Sequence, residues 1–177
     1  MERERLVLEP SAGYEAEIGL FLAALDDTRR RTKKSLSGLP DAAVDWTVAP
    51  NTNSTGTLLY HLAAIETDWL YSEILEQPFP EHVMALFPHD VRDEQGRLSV
   101  VAGVSLQEHL ARLDATRAIF LAALQGMTPT DFYRVRHLPD YDVTPAWVLH
   151  HLMQHEAEHR GQLLTLRMMA ERVFGKG

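Results

Sequence analysis

Apolar side chains recur every three to four residues in four long segments of the chain, which is the period of an amphipathic helix. No segment shows convincing alternation of apolar and polar residues, the pattern of a half-buried strand. The pattern therefore predicts an all-α fold built from four long helices. The predicted helices cover residues 11–37, 55–75, 105–125 and 144–173.

Local signals indicate where several of these helices begin and end. Ser105 and Glu108 have the spacing of a capping box, in which each side chain bonds the other residue's backbone N–H. Thr144 followed by Pro145 is a favoured start for the fourth helix. Gly126 follows the third helix and predicts its end.

The connection between the second and third helices, residues 76–104, is long for a compact domain. It contains three prolines and two glycines, and it predicts either a functional loop or a crossover joining two helices that run parallel. A length of 177 residues fits one domain with a full core. We therefore expect a single domain, residues 1–177, with its main helices in a bundle.

Charge and composition narrow the function classes. The formal net charge of −8 at pH 7 argues against nucleic-acid binding, which needs a basic surface. The chain has no run of 18 apolar residues and no N-terminal signal pattern, so we expect a cytoplasmic protein that does not enter a membrane. Cysteine is absent, so any thiol chemistry would need a thiol cosubstrate.

Four histidines fall within ten residues near the C-terminus: His150, His151, His155 and His159. On a helix, residues four apart lie on one face about one turn apart, so two such imidazoles can share a metal ion. The helical rise separates His151 from His159 by about 12 Å, too far for both to bind one ion at about 2.0 to 2.1 Å. The pair is therefore either His151 with His155 or His155 with His159.

The third ligand must come from another helix. His61 is the strongest candidate because it lies on the apolar stripe of the second helix, and His109 in the third helix is the next. Buried imidazoles each need a polar partner, and a shared metal ion would satisfy all of them at once. Three further histidines lie in predicted loops, where solvation is the usual state: His82, His89 and His137.

Charged residues on the first and fourth helices have ordinary structural interpretations. The basic run from Arg29 to Lys34 lies at the predicted C-terminal end of the first helix, where cations complement the helix dipole. By helical phase Glu156 and Glu158 point away from the face of His155 and His159, so we expect them to be solvated or at most to support the site.

Two stretches resemble the signature of the DinB/YfiT-like metalloenzyme family. The first, residues 53–62, contains His61 and is followed by Glu66 and Trp69. The second, residues 147–162, ends in the run His-Glu-Ala-Glu-His-Arg-Gly-Gln. Both halves and the spacing between them agree with the family signature, so the resemblance spans most of the chain.

The resemblance implies a four-helix bundle with a long crossover between helices 2 and 3, commonly dimeric, that holds a divalent metal ion through three histidines. Carried over by position, the ligands are His61, His155 and His159, and His151 becomes a neighbour of the site. Imidazole ligands suit zinc, nickel and iron, of which we expect zinc or nickel first. Some relatives are S-transferases that use low-molecular-weight thiols such as bacillithiol or mycothiol.

The resemblance therefore implies a homodimeric metal-dependent enzyme that acts on a small molecule by activating a thiol cosubstrate or water. The alternative from another class is a non-catalytic, stress-related bundle that binds metal or a small ligand. Arg160 is a candidate for orienting an anionic group. Tyr141 and Asp142 are candidate contributors because residues 76–104 and 131–143 are expected to border the pocket.

Overall fold

Four long helices dominate the structure, as the helical period of the sequence predicts. The computed structural model describes residues 6–175. The first helix begins at Ala16 instead of near residue 11, and the other long helices begin within a residue of their predicted starts. The long helices are α1 (Ala16–Ser35), α2 (Thr55–Asp68), α4 (Leu106–Leu124) and α6 (Pro145–Phe174), and the short ones are α3 (Glu81–Met84) and α5 (Pro129–Phe132).

Side-chain caps begin three of the long helices, where the first backbone N–H groups have no partner within the helix. The Ser54 hydroxyl accepts a hydrogen bond from the Thr57 backbone N–H at the start of α2. The predicted capping box of Ser105 and Glu108 is confirmed at the start of α4. The Thr144 hydroxyl caps α6 in the predicted way, and Pro145 is its first residue.

Beyond Asp68, α2 widens into a π-helix, Trp69–Ile74. The backbone N–H of Leu75 donates to the carbonyl of Leu70 at 2.9 Å, five residues back in the chain. The extent of the second predicted helix is therefore right, but its last turns are not α-helical. Single π-turns inside α-helices are frequent at functional sites.

A small hairpin precedes α6, and there the expectation of no strands is wrong. Strand β1 (Arg136–His137) pairs antiparallel with β2 (Asp142–Val143). Two-residue strands are too short to show an alternating pattern in the sequence. The buried Arg136 guanidinium holds the hairpin in place by donating to the Asp131 carbonyl at 2.6 Å.

The core consists of two apolar clusters, one near each end of the long helices. The residues of each cluster meet where α1 packs on α6 and where α2 packs on α4 and α6. The first cluster includes Ile18, Leu22, Leu25, Phe120 and Leu152, and the second includes Leu36, Leu58, Leu59, Leu113 and Leu163. No helix within residues 6–175 is long and apolar enough to cross a membrane.

Candidate metal centre

Three histidines from two helices converge in the structure. His61 comes from α2, and His155 and His159 come from successive turns of α6. The Nε2 atom of His155 lies 3.1 Å from the Nε2 atom of His61 and 3.1 Å from that of His159. All three ligand atoms lie within 4.8 Å of one another. The structure thus brings together the three residues that the family signature implies.

A shared divalent metal ion would satisfy these three imidazoles better than hydrogen bonds among them would. A neutral imidazole nitrogen carries either one proton or one lone pair, so hydrogen bonding satisfies at most one of the two contacts that His155 Nε2 makes. Bonds of about 2.0 to 2.1 Å in a tetrahedral zinc site place ligand nitrogens about 3.3 Å apart, close to the observed 3.1 Å. The cluster could therefore hold a metal ion through three Nε2 lone pairs.

The environment keeps the imidazoles of His61 and His155 neutral, as metal ligation requires. Burial lowers the pKa of His61 to about 4, with the positive charges of His159 and Arg92 adding to the effect. Burial lowers the pKa of His155 to about 3, again with help from neighbouring histidines. At neutral pH the lone pairs of both rings are therefore free.

Gln162 orients one of the three rings, and the sequence analysis missed it. Its Oε1 atom lies 2.9 Å from Nδ1 of His159. A proton on Nδ1 that donates to this oxygen leaves the Nε2 lone pair of His159 facing the cluster. The spacing of three residues on one helix was the available signal. His61 differs, since its Nδ1 atom is buried without a hydrogen-bond partner in the part of the chain that the structure describes.

The other two candidate histidines lie outside the cluster. His151 packs against two indoles that also contact each other, with its ring centroid 4.6 Å from that of Trp69 and 5.0 Å from that of Trp147. Its ring lies 5.8 Å from that of His155, so it is a neighbour of the site. His109 is buried on α4, and burial lowers its pKa to about 4.

Tyr141 and Arg160, the two residues expected to support the site, lie in different surroundings. The Tyr141 hydroxyl donates to Glu73 Oε1 at 2.8 Å, and burial together with Glu73 raises the pKa of Tyr141 to about 12. Its ring borders a cavity next to Trp69. The Arg160 guanidinium faces α1 and donates to the Thr28 carbonyl at 3.3 Å.

Arg29 and Glu156 are not placed as the sequence analysis expected. Both are buried, and Arg29 Nε donates to Glu156 Oε1 at 2.9 Å. Arg29 and Arg117 also donate to Glu66 Oε2, at 2.9 and 2.6 Å. Burial alone would raise the pKa of Glu66, but the two guanidinium charges outweigh it and hold that pKa below its usual value. The expectations of a solvated Glu156 and of an Arg29 that serves the helix dipole are wrong, whereas Glu158 is exposed.

The connection between α2 and α4, which the sequence analysis predicted only as a pocket border, passes close to the histidines. Tyr60, next to His61, donates from its hydroxyl to the His89 carbonyl at 2.6 Å and so fastens this connection to α2. The Arg92 charge is near enough to lower the pKa of His61. A single sequence carries no signal for this proximity, because the contact depends on the path of the loop.

A cleft of about 440 Å³ lies on the Gln162 side of the cluster. Gly161 lines it, and a Cβ atom at Gly161 would meet no other atom within 4 Å. Close helix approach therefore does not explain this glycine, and the open space beside it is consistent with ligand access. The cleft is also lined by Asn53, Leu58, Glu158, Thr165 and Leu166.

Comparison with known families agrees with the geometry of the site. The family model of the DinB superfamily matches residues 24–163, which include all three histidines of the cluster. The chain belongs to the DinB superfamily.

A solved structure shows the same fold. The crystal structure of a conserved protein from Enterococcus faecalis is similar to this DinB chain with a TM-score of 0.68 and 19% sequence identity. The similarity covers 89% of this chain and 96% of that one. No curated protein matches the chain.

Proposed function

We propose that this protein is a divalent-metal-dependent enzyme in which His61, His155 and His159 hold the ion. The proposal rests on one observation, the convergence of three Nε2 atoms within 4.8 Å of one another. Membership of the DinB superfamily supports it. Zinc or nickel is the first expectation and iron the next, because imidazole binds all three.

Three neutral imidazoles leave a bound divalent ion its full charge, so it would lower the pKa of a thiol or a water molecule at an open position. The chain has no cysteine, so the thiol has to be a cosubstrate of low molecular weight. Burial keeps the imidazoles of His61 and His155 neutral, and the hydrogen bond to Gln162 keeps His159 in the required tautomer. We place thiol transfer to a small electrophile ahead of hydrolysis.

Metal content tests the first half of the proposal. Protein purified without a histidine tag and supplemented with zinc or nickel should hold one ion per chain, measured by mass spectrometry of the metal. His61→Ala should lose it, since two ligands remain. His150→Ala is the matched control because His150 is exposed on α6 outside the cluster, and it should keep the ion. A wild-type protein without stoichiometric metal would refute the proposal.

Turnover tests the second half. Metal-loaded protein is incubated with a low-molecular-weight thiol and a panel of small electrophiles, and in parallel with a panel of esters. Metal-dependent loss of thiol, absent in His61→Ala, supports S-transfer, and ester cleavage without thiol supports hydrolysis. A bound ion with no turnover in either panel favours the alternative, a non-catalytic metal-binding bundle.

We also propose the finer architecture: a single-domain four-helix bundle in which residues 76–104 are the crossover, assembled as a homodimer. The four long helices and the family support the bundle. A small molecule, and no nucleic acid, is the proposed partner. Sedimentation equilibrium checks the dimer, and a monomer at micromolar concentration would contradict it.

A further inference from the structure

Three aromatic rings border an open cavity at the Trp69 end of the metal centre. The cavity has a volume of about 350 Å³ and is lined by Trp69, Tyr141, Asp142, Val143 and Trp147. Trp147 and Tyr141 are 49% and 45% exposed, so neither ring serves mainly to fill the core. Large aromatic side chains that line an exposed concave surface are typical of ligand sites.

The rings are held by ordered structure that is anchored in the core. Trp69 is the first residue of the π-helix. Tyr141 lies in the turn between β1 and β2, and its hydroxyl is anchored to Glu73, which is only 7% exposed. Val143, 5% exposed, closes the cavity from below. The cavity is therefore built in advance of any ligand.

A continuous row of rings connects the cavity to the histidine cluster. The His151 ring stacks on Trp147 with an interplanar angle of 8° and also contacts Trp69. On its other side the His151 ring lies 5.8 Å from that of His155. The His151 ring is therefore the one ring in this row between a ligand that contacts Trp147 and the His155 imidazole.

The charges around the cavity are acidic. Asp142 lines it, and the negative charges of Glu73, Asp68 and Asp140 all act on Tyr141. An anionic group would be repelled there, whereas the faces and edges of uncharged aromatic rings are complementary to the walls. The volume is at the lower end of the range for small-molecule sites, and a helix of a partner protein, about 10 Å wide, would not fit.

We propose that this aromatic cavity binds an uncharged aromatic group of the substrate whose reactive atom reaches the histidine cluster. The reach of the reactive atom to the histidine cluster rests on the proposed function, whereas binding of the aromatic group does not. The cavity thereby selects electrophiles that carry a flat apolar ring and rejects those with a carboxylate on that ring.

The three tryptophans allow a direct test by NMR. Protein labelled with ¹⁵N gives one indole N–H signal each for Trp46, Trp69 and Trp147, and Trp46 packs instead on Phe174. Titration with 2-naphthalenemethanol should shift the Trp69 and Trp147 signals saturably and leave Trp46 unchanged. 2-Naphthoate, the same ring with a carboxylate, should bind at least tenfold more weakly.

Two variants locate the binding. Trp147→Ala should raise the Kd for 2-naphthalenemethanol at least tenfold, followed on the Trp69 signal, and its exposed side chain makes loss of folding unexpected. Leu164→Ala, also exposed on α6, is the control and should bind as wild type does. Unsaturable shifts of all three signals, equal binding of 2-naphthoate, or an unchanged Kd in Trp147→Ala would overturn the proposal.

The titration is run on metal-free and on metal-loaded protein, which separates this proposal from the proposed function. Naphthyl binding in a protein that holds no metal would support the cavity while refuting the metalloenzyme. Stoichiometric metal without naphthyl binding would overturn the cavity alone. If the Trp147 signal shifts with protein concentration when no probe is present, the rings face a second copy of the chain and the proposal is wrong.

Discussion

Two polar clusters both draw residues from α2 and α6, and they differ in how their polar groups are satisfied. In the ion cluster of Arg29, Glu66, Arg117 and Glu156, two guanidinium groups meet two carboxylates at hydrogen-bonding distance. In the histidine cluster, imidazole faces imidazole, and the neighbouring charges that shift the pKa of His155 are all basic.

The difference is that the charged groups of the ion cluster are paired within the protein, whereas the imidazole nitrogens of the histidine cluster are not. The ion cluster lies between the two apolar clusters, and each long helix contributes one residue to it. Its two positive and two negative side chains cancel in net charge. Buried charges are tolerated only with such pairing. The histidine cluster has converging lone pairs and no balancing acid among the groups that set its pKa values. We infer that a cation from outside completes it.

The largest effect is expected in the ion cluster. Glu66→Gln removes the buried carboxylate that both guanidinium groups share and leaves them Glu156 and the half-exposed Asp26, so the free energy of unfolding should fall by about 3 kcal/mol in urea denaturation. Asp114→Asn, which breaks the exposed Lys33–Asp114 pair, is the control and should cost less than about 1 kcal/mol. Folded Glu66→Gln protein should keep its metal affinity, and a tenfold loss would show that the two clusters are coupled.

The two clusters should also respond to pH in ranges that overlap only at the acid end. The folded pKa values of His61 and His155 lie below the usual 6.5, so the unfolded chain binds more protons from pH 6.5 down to about 4 for His61 and about 3 for His155. Stability of metal-free protein should therefore fall as pH drops through this range, by on the order of 2 kcal/mol after allowance for partial solvent screening.

The lowered pKa of Glu66 acts at the acid end of that range and below it. Its contribution to stability is present above the unfolded value of 4.5 and is lost as pH falls further. His155→Asn should flatten the pH dependence of urea denaturation between pH 6.5 and 4.5, above the range of Glu66, and leave the limb below about pH 3 unchanged. A variant with the wild-type profile in the upper range would contradict the assignment.

Gln162 provides a smaller test of the histidine cluster. Gln162→Leu removes the acceptor for His159 Nδ1, so zinc affinity should fall 10- to 100-fold in competition with a chelator. Gln162→Glu keeps an acceptor and should retain most of the affinity. Gln154→Leu, at an exposed position on the same helix, is the control. Equal affinities in the two leucine variants would remove any role for Gln162 in orienting His159.

The smallest expected effect concerns the open side of the histidine cluster. Gly161→Ala adds a Cβ atom where nothing lies within 4 Å, so it should stabilise the protein by about 0.5 to 1 kcal/mol. Gly19→Ala, also inside a helix, is the contrast because its Cβ would lie 2.8 Å from the Ser11 carbonyl oxygen and should destabilise. Thermal unfolding compares the two, and destabilisation by Gly161→Ala would mean that this side is packed.

Sequence reasoning succeeded where local chemistry decides the outcome. The capping box at Ser105 and the cap at Thr144 depend on residues three positions apart, and both formed as predicted. It failed for Arg29 and Glu156, which are 127 residues apart and meet at 2.9 Å. Each looks like an ordinary surface charge on its own helix, because burial and pairing arise only when the helices pack.

The sequence alone determined that the chain forms long helices and that His155 and His159 lie on the same helix face. It also excluded a cysteine nucleophile. These follow from helical period and composition, which need no partner. Only the tertiary structure decided that His61 Nε2 lies 3.1 Å from His155 Nε2, that four buried charges pair, and that Trp69 packs against His151. Those contacts join residues far apart in the chain, so packing of the helices, and no local propensity, sets them.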